Sequence, residues 1–136
     1  MIAAEKIRTK LQNNGDKTTA YTLTGKPFTF WLTENNNAIA CDKLPKPAYN
    51  LVLFDILEDY MKKHGGKIEK GNAHNYKFGH PKCNEHTAVG IIAIEMQKPK
   101  IGDSVLDPIF ILSAIMDWAD IAHNERGYLK LKKLYL

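Results

Sequence analysis

Histidine and cysteine residues cluster between residues 74 and 86 of the 136-residue sequence. Imidazole nitrogens and cysteine thiolates are ligands that zinc prefers in tetrahedral sites. The cluster contains one cysteine, whereas the recurring zinc sites of small domains use pairs of cysteines. We therefore predict a plain turn here, with no metal and no other cofactor, and keep a metal-dependent enzyme as an alternative. The candidate ligands of that alternative are His74, His80, Cys83 and His86.

A second group of residues, between 67 and 77, combines lysine with amide and aromatic side chains. Nucleic-acid-binding loops often use this mixture, because lysines contact phosphates while amides and aromatic rings contact sugars and bases. A solvent-exposed loop with no binding role has a similar composition, and this interpretation stays open. The candidate residues are Lys67, Lys70, Asn72, Asn75, Tyr76 and Lys77.

A third group is basic and lies near the end of the sequence. It consists of Arg126, Lys130, Lys132 and Lys133. These side chains could bind the phosphates of a nucleic acid, and each such contact would steepen the salt dependence of binding. The alternative is an edge strand on which lysines prevent unwanted pairing with other strands.

Composition and charge restrict the class of protein. The length suits one domain, and the net charge is +4, with only two arginines among 19 basic residues. Lysine excess of this size fits either phosphate contact or solubility. No run of about twenty apolar residues is present, so we expect no membrane span, and the start of the sequence does not resemble a signal peptide. Cys41 and Cys83 lie far apart, which favours free thiols and a cytoplasmic location.

The first 47 residues predict a helix followed by a small antiparallel sheet. Apolar residues four apart indicate a short helix from Ile2 to Leu11. Residues 20–42 are rich in threonine and aromatic residues and contain two turn signals, so we predict a hairpin or three-stranded meander. Together these segments form an N-terminal extension to the rest of the chain.

Two further helices are predicted in the middle of the sequence. Residues 49–64 are amphipathic, with Glu58 on the polar face, and Gly65-Gly66 ends the helix. Residues 67–85 read as a long loop. Residues 87–97 suit either a helix or a strand; we favour a helix, because Thr87 can cap its first turn.

The closing segment predicts a buried helix, a turn and a strand. Asp107 is predicted to cap a helix over 109–122 that is apolar almost all round. Its polar residues, Ser113, Asp117 and Asp120, form one narrow stripe. His123 is expected at the C-terminal end of this helix, where the helix dipole favours a protonated imidazole. Residues 123–127 then form a turn, and alternation over 128–132 predicts a half-buried strand.

The order of these elements resembles a winged helix. More narrowly, residues 48–133 resemble the N-terminal module of Mrr-type restriction endonucleases. The matching residues are the helix end His64-Gly65-Gly66-Lys67 and the run from Trp118 to Leu131, which includes the pair Arg126-Gly127. The resemblance implies an α+β fold with a winged-helix-like core over residues 48–136, an N-terminal β-hairpin and a C-terminal wing strand, all in a single domain.

The resemblance also implies binding of double-stranded DNA through the helix before the wing and through the wing itself. The acidic stripe on that helix departs from the pattern, because Asp117 and Asp120 would repel phosphates. Either the contacts come from the loop and the wing, or DNA binding has been lost. No residue matches the cleavage motif of these nucleases, so we expect a non-enzymatic DNA-binding or regulatory protein.

A protein–protein interaction module, including a homodimer, is the alternative function. The apolar closing helix and the aromatic residues of the N-terminal hairpin favour it, since such side chains are enriched at interfaces. These aromatic residues are Tyr21, Phe28, Phe30 and Trp31.

Overall fold

A computed structural model describes residues 2–45 and 48–133, which form four helices and two antiparallel sheets around one hydrophobic core. The predicted α+β class is confirmed. The helices are Ala3–Asn13 (α1), Val52–Lys63 (α2), Ala88–Gln97 (α3) and Ile109–Trp118 (α4). The strands are Lys17–Tyr21 (β1), Pro27–Thr33 (β2), Ala38–Cys41 (β3), Tyr49–Asn50 (β4), Lys67–Glu69 (β5), Ala122–Glu125 (β6) and Tyr128–Leu131 (β7). None of the helices in these two ranges is long and apolar enough to cross a membrane.

The N-terminal sheet has the strand order β1-β2-β3-β4. Its first three strands confirm the predicted meander. The sequence pattern predicts Tyr49 and Asn50 as the start of the following helix, but they form strand β4, in which Tyr49 is fully buried and pairs with Ile39 of β3. The alternating residues Phe28 and Phe30 are also buried, and the Phe30 ring meets Trp118 of α4 edge to face, with centroids 5.1 Å apart. This sheet therefore packs Phe28, Phe30 and Tyr49 into the core of its own chain, whereas Tyr21 is exposed.

The C-terminal sheet has the strand order β5-β7-β6. Strands β6 and β7 form a hairpin, and β5 pairs with the other edge of β7. The predicted strand at β7 is confirmed, because Leu129 and Leu131 face the core. The predicted turn over 123–127 is wrong, since most of it belongs to β6. His123 is accordingly an exposed strand residue and does not lie at a helix end.

The helix before this hairpin ends at Trp118, earlier than predicted. Asp120 then takes a left-handed conformation, with φ 59°, and reverses the chain into β6. Aspartate tolerates this conformation better than most residues with a side chain. The turn therefore needs no glycine. Because no glycine marks it, the apolar pattern of the sequence predicts a helix that continues through it.

Helix α4 begins where predicted, but Asp107 does not cap it. Pro108 stands at the capping position. One Asp107 oxygen instead accepts hydrogen bonds from the backbone N–H groups of Ala73 and His74, at 3.0 and 3.2 Å. Asp107 therefore fixes the long loop that follows β5.

Helix α4 is enclosed by the rest of the fold. It packs against α1, β1 and β6, and its side chains from Ile111 to Met116 are all buried. Ser113, predicted to be part of a polar stripe, is fully buried, and its hydroxyl donates to the Ile109 carbonyl at 2.6 Å. Phe110, by contrast, is 48% exposed.

Helix α2 has the predicted position, but one acidic residue on its polar face is buried. Glu58 is 0% exposed, and one of its oxygens accepts from the backbone N–H groups of Ile2 and Ala3, each at 2.9 Å. Asp55 accepts in the same way from Ala4, at 2.9 Å. The first N–H groups of a helix have no partner within that helix. Glu58 is buried because α2 supplies these partners to α1.

Helix α3 is confirmed, together with its predicted cap. The Thr87 hydroxyl accepts from the backbone N–H of Gly90 at 3.1 Å. The loop before it runs from residue 70 to residue 86, and the short strand β5 precedes it. Tertiary pairing with β7 makes β5 a strand, since three residues are too few to show a period.

Candidate nucleic-acid interface

The outer face of the C-terminal sheet carries its basic residues in one row across three strands. Lys67 of β5 pairs with Lys130 of β7, and Lys130 pairs with His123 of β6. All three side chains are exposed. We call these residues the basic row. The fold thus brings together two candidate residues from separate segments and adds His123, which the sequence pattern predicts at the end of α4.

The two lysines of the basic row have no acidic partner in the part of the chain that the structure describes. No ion pair among residues 2–45 and 48–133 involves Lys67 or Lys130. Like charges directly opposite each other on neighbouring strands destabilise a sheet. The Lys67 ammonium lies 4.1 Å from the centre of the Tyr128 ring, which offsets part of this repulsion. The row is therefore a positively charged surface open to an anion.

The next row of the same face is acidic. Glu69 of β5 and Glu125 of β6 flank Tyr128 of β7. This second row lies toward the tip of the β6–β7 hairpin, and the basic row lies toward its base. The base half of the face is therefore the part that favours an anion.

Lys132 follows β7 and lies apart from the basic row. It contacts acidic residues at the end of α4. Its ammonium is 3.3 Å from an Asp117 oxygen and 3.2 Å from an Asp120 oxygen. The hydrogen bond from Lys132 lowers the pKa of Asp120. Burial acts to lower the pKa of Lys132, but the hydrogen bonds and charges of the two carboxylates raise it. The two carboxylates more than compensate the charge of Lys132, so this lysine is not free to contact a phosphate and instead ties the end of the sheet to the end of α4.

The two remaining basic candidates lie at opposite ends of the hairpin. Arg126 forms the tip together with Gly127, whose φ is 84°. Lys133 follows the last strand at the base, on the same end of the hairpin as the basic row. Both residues are exposed.

The candidates of the long loop are engaged mainly with other residues of the loop. The Asn72 side chain accepts from the backbone N–H of Asn75 at 2.9 Å. The Tyr76 ring stacks on His80, with centroids 4.2 Å apart. The Lys77 ammonium donates to the Ser104 hydroxyl at 2.5 Å. These contacts order the loop without extending the basic row.

Lys70 differs from the other lysines because it is half-buried. Its ammonium donates to the side-chain oxygen of Asn124, and its backbone N–H donates to the Gly127 carbonyl at 2.8 Å. Burial lowers the pKa of Lys70, and the nearby charge of Glu125 acts in the opposite direction. Lys70 faces a cleft between the two sheets and lies away from the basic row.

The histidine and cysteine cluster does not form a ligand set. Within the parts of the chain that the structure describes, no three His, Cys, Asp or Glu side chains are placed to hold a metal ion. Cys83 is buried, and burial raises the pKa of its thiol. His86 points elsewhere, with its Nδ1 3.4 Å from the Tyr60 hydroxyl.

Comparison of the sequence with protein-family models, and of the chain with curated proteins and solved structures, found no match.

Proposed function

We propose that this protein binds double-stranded DNA without catalysing a reaction, through the base half of the outer face of its C-terminal sheet. We further propose that α2, β5, α3, α4, β6 and β7 form a winged-helix arrangement. The element order and the sheet order β5-β7-β6 support this, since the second and third strands form a hairpin after the last helix. The hairpin then corresponds to the wing that the Mrr-like resemblance implies.

The proposed contact surface departs from that resemblance in one respect. A recognition helix must expose side chains to the major groove. Helix α4, at the equivalent position, is enclosed by α1, β1 and β6. Contacts to phosphates position a protein but carry no base information. The proposed binding is therefore largely independent of DNA sequence.

The basic row is the single observation that carries this proposal. Adjacent strands lie about 4.8 Å apart, so Lys67, Lys130 and His123 span about 10 Å of surface. Lys133 extends the positive charge at the same end of the sheet. The energy of binding would come mainly from the release of counterions from the phosphates.

A salt titration tests the proposal. Binding of a fluorescent duplex should be measured by anisotropy between about 50 and 200 mM salt, where the logarithm of the association constant falls by about 0.9 per phosphate contact for each decade of salt. The double variant Lys67→Gln/Lys130→Gln should bind more weakly and reduce that slope by about 2. Lys98→Gln/Lys100→Gln, which removes two exposed lysines beyond α3, is the matched control.

Two results would overturn the DNA proposal. One is the absence of duplex binding at the lowest salt concentration. The other is an equal loss of affinity in the control variant and in the variant of the basic row, because this would indicate a general effect of net charge.

Some of the residues that suggested a protein–protein interaction module are not available to a partner, whereas Tyr21 is 64% exposed. Phe28 and Phe30 are buried in the core, and α4 is covered by the N-terminal extension. The alternative stays a prediction, which measurement of molecular mass in solution at several concentrations would test.

A further inference from the structure

A cleft of about 540 Å³ lies between the two sheets. The β1–β2 turn forms one wall, the start of α4 forms the floor, and the base of the long loop and the tip of the β6–β7 hairpin form the other wall. Clefts of roughly 300 to 1,000 Å³ are the size that small organic ligands occupy. The cleft does not include the basic row, so it is a second and separate surface.

The walls of the cleft expose large apolar side chains. Leu23 and Phe110 are each 48% exposed, and Pro27 lies beside them. Exposed apolar side chains that are grouped at a concave surface typically mark a binding site. Phe110 is the clearest case, because the neighbouring residues of α4 are buried in the core.

The charged residues of the cleft are all basic. Lys26, Lys43 and Lys70 line it, and no aspartate or glutamate among residues 2–45 and 48–133 does so. Lys26 and Lys43 are exposed at the rim, whereas Lys70 is half-buried. The hydrogen bond from Lys70 to the neutral Asn124 side chain orients the ammonium without compensating its charge.

The partial burial of Lys70 favours the binding of an anion beside it. A charged group that leaves water loses solvation, and this loss costs free energy unless an opposite charge nearby compensates it. The Glu125 carboxylate acts on Lys70 at a distance, but it does not line the cleft. An anionic group of a ligand would supply the missing counter-charge, and the apolar walls would take up the rest of the ligand.

We propose that this cleft binds a small organic anion with an apolar body, of the class of alkyl or aromatic carboxylic acids. The carboxylate contacts Lys70 and the rim lysines, and the apolar body packs against Leu23, Pro27 and Phe110. This site does not depend on DNA binding, since none of the basic row takes part in it.

The probe for this site is anilinonaphthalene sulfonate, which combines an apolar body with an anionic group and fluoresces when it leaves water. The protein should increase the fluorescence of this probe saturably, and decanoate should displace the probe. Decanol, which has the same chain length and no charge, should displace it at least about tenfold less well, since a charge-assisted contact is worth about 1.4 kcal/mol or more. Decanoate should also raise the melting temperature, because a ligand of the folded state stabilises it.

Variants separate the apolar contribution from the charged one. Lys70→Gln should lower the affinity for decanoate about tenfold and should change the affinity for decanol little. The exposed rim variant Lys26→Gln/Lys43→Gln should act in the same direction and carries little risk to folding. Phe110→Ser should lower the affinity for both ligands. Ile101→Ser, at an apolar residue 86% exposed outside the cleft, and Lys100→Gln are the controls.

Three results would overturn this proposal. They are equal displacement by decanol and decanoate, unchanged decanoate affinity in both lysine variants, and the same loss of binding in the controls. Near-ultraviolet circular dichroism of each variant shows whether a loss of binding comes from unfolding.

Discussion

The Glu58 carboxylate of α2 accepts a 2.9 Å hydrogen bond from the backbone N–H of Ala3, in the first turn of α1. The same oxygen accepts from Ile2 at 2.9 Å, and the other oxygen lies 3.1 Å from the Lys62 ammonium. A buried negative charge at the start of a helix also interacts favourably with the helix dipole. One side chain of α2 therefore completes the N-terminus of α1.

Removal of this carboxylate should destabilise the protein. We expect Glu58→Ala to lower the free energy of unfolding by about 3 kcal/mol, because it leaves N–H groups of α1 without acceptors. Glu58→Gln keeps one acceptor oxygen and should lower the free energy of unfolding by about 1 kcal/mol. Urea unfolding measures both. Asp59→Ala, which breaks the exposed pair with Lys63, is the control and should change stability by less than about 1 kcal/mol. Equal effects of Glu58→Ala and Asp59→Ala would contradict this role of Glu58.

Gly90 allows α3 to lie against the turn before it. A Cβ built on Gly90 would lie 1.8 Å from the Asn84 carbonyl oxygen, and backbone atoms cannot move away easily. Gly90→Ala should therefore destabilise the protein by about 3 kcal/mol or more, although alanine is about 1 kcal/mol better in an isolated helix. Thermal unfolding checks this. In Gly127→Ala the new methyl group meets open space, so only the strain of the positive φ, about 1 kcal/mol, is expected. A melting temperature of Gly90→Ala above that of the parent protein would refute the close approach.

Helix α4 should respond to substitution as a core element. Leu112 is fully buried, so Leu112→Ala should cost about 2 to 5 kcal/mol of unfolding free energy. Phe110→Ala, on the exposed side of the same helix, should cost clearly less. Denaturant unfolding of both variants provides the measurement. Similar losses at the two positions would show that α4 is not enclosed in the way described.

The cluster of Lys132, Asp117 and Asp120 predicts a pH dependence of stability on the acid side. Lys132 holds the pKa of Asp120 below its ordinary value of 3.8. Because the folded state then binds fewer protons than the unfolded state, the stabilisation is present above that value and is lost as the pH falls through the lower folded pKa.

We expect Lys132→Met to flatten this part of the pH profile. Unfolding by urea at a series of pH values from about 6 down to about 2 measures it. Lys63→Met removes the lysine of an exposed helical pair and should leave the shape of the profile unchanged. An identical acid slope in the parent protein and in Lys132→Met would exclude the proposed coupling.

The sequence predicts the elements that show a clear period. The N-terminal meander, α2 and β7 follow from alternation or from a helical stripe within a single segment, whereas α3 is predicted from the cap at Thr87 because its apolar pattern suits a strand as well. Strands β4 and β5 have two and three residues and become strands only through pairing with distant partners. Strand β6 is not predicted, because the turn before it is made by Asp120 at a positive φ, where glycine is the usual residue.

The candidate site is less accessible to sequence reasoning than the fold is. Lys67 and Lys130 belong to different segments, and only the register of β5 on β7 places them side by side. His123 joins them because the chain turns back before it, at Asp120. The burial of Glu58 likewise depends on a contact with the first turn of α1, which the amphipathic pattern of α2 cannot reveal.

Asp117 stands at the last turn of α4 and accepts from two places on the β6–β7 hairpin. One oxygen takes the backbone N–H of Asn124 at 2.9 Å, and the other lies 3.3 Å from the Lys132 ammonium. The Asp117 carboxylate therefore joins both β6 and the residue that follows β7 to the end of α4. Since α4 also lines the cleft through Phe110, one helix contacts both the cleft and the hairpin that carries Lys130 and His123.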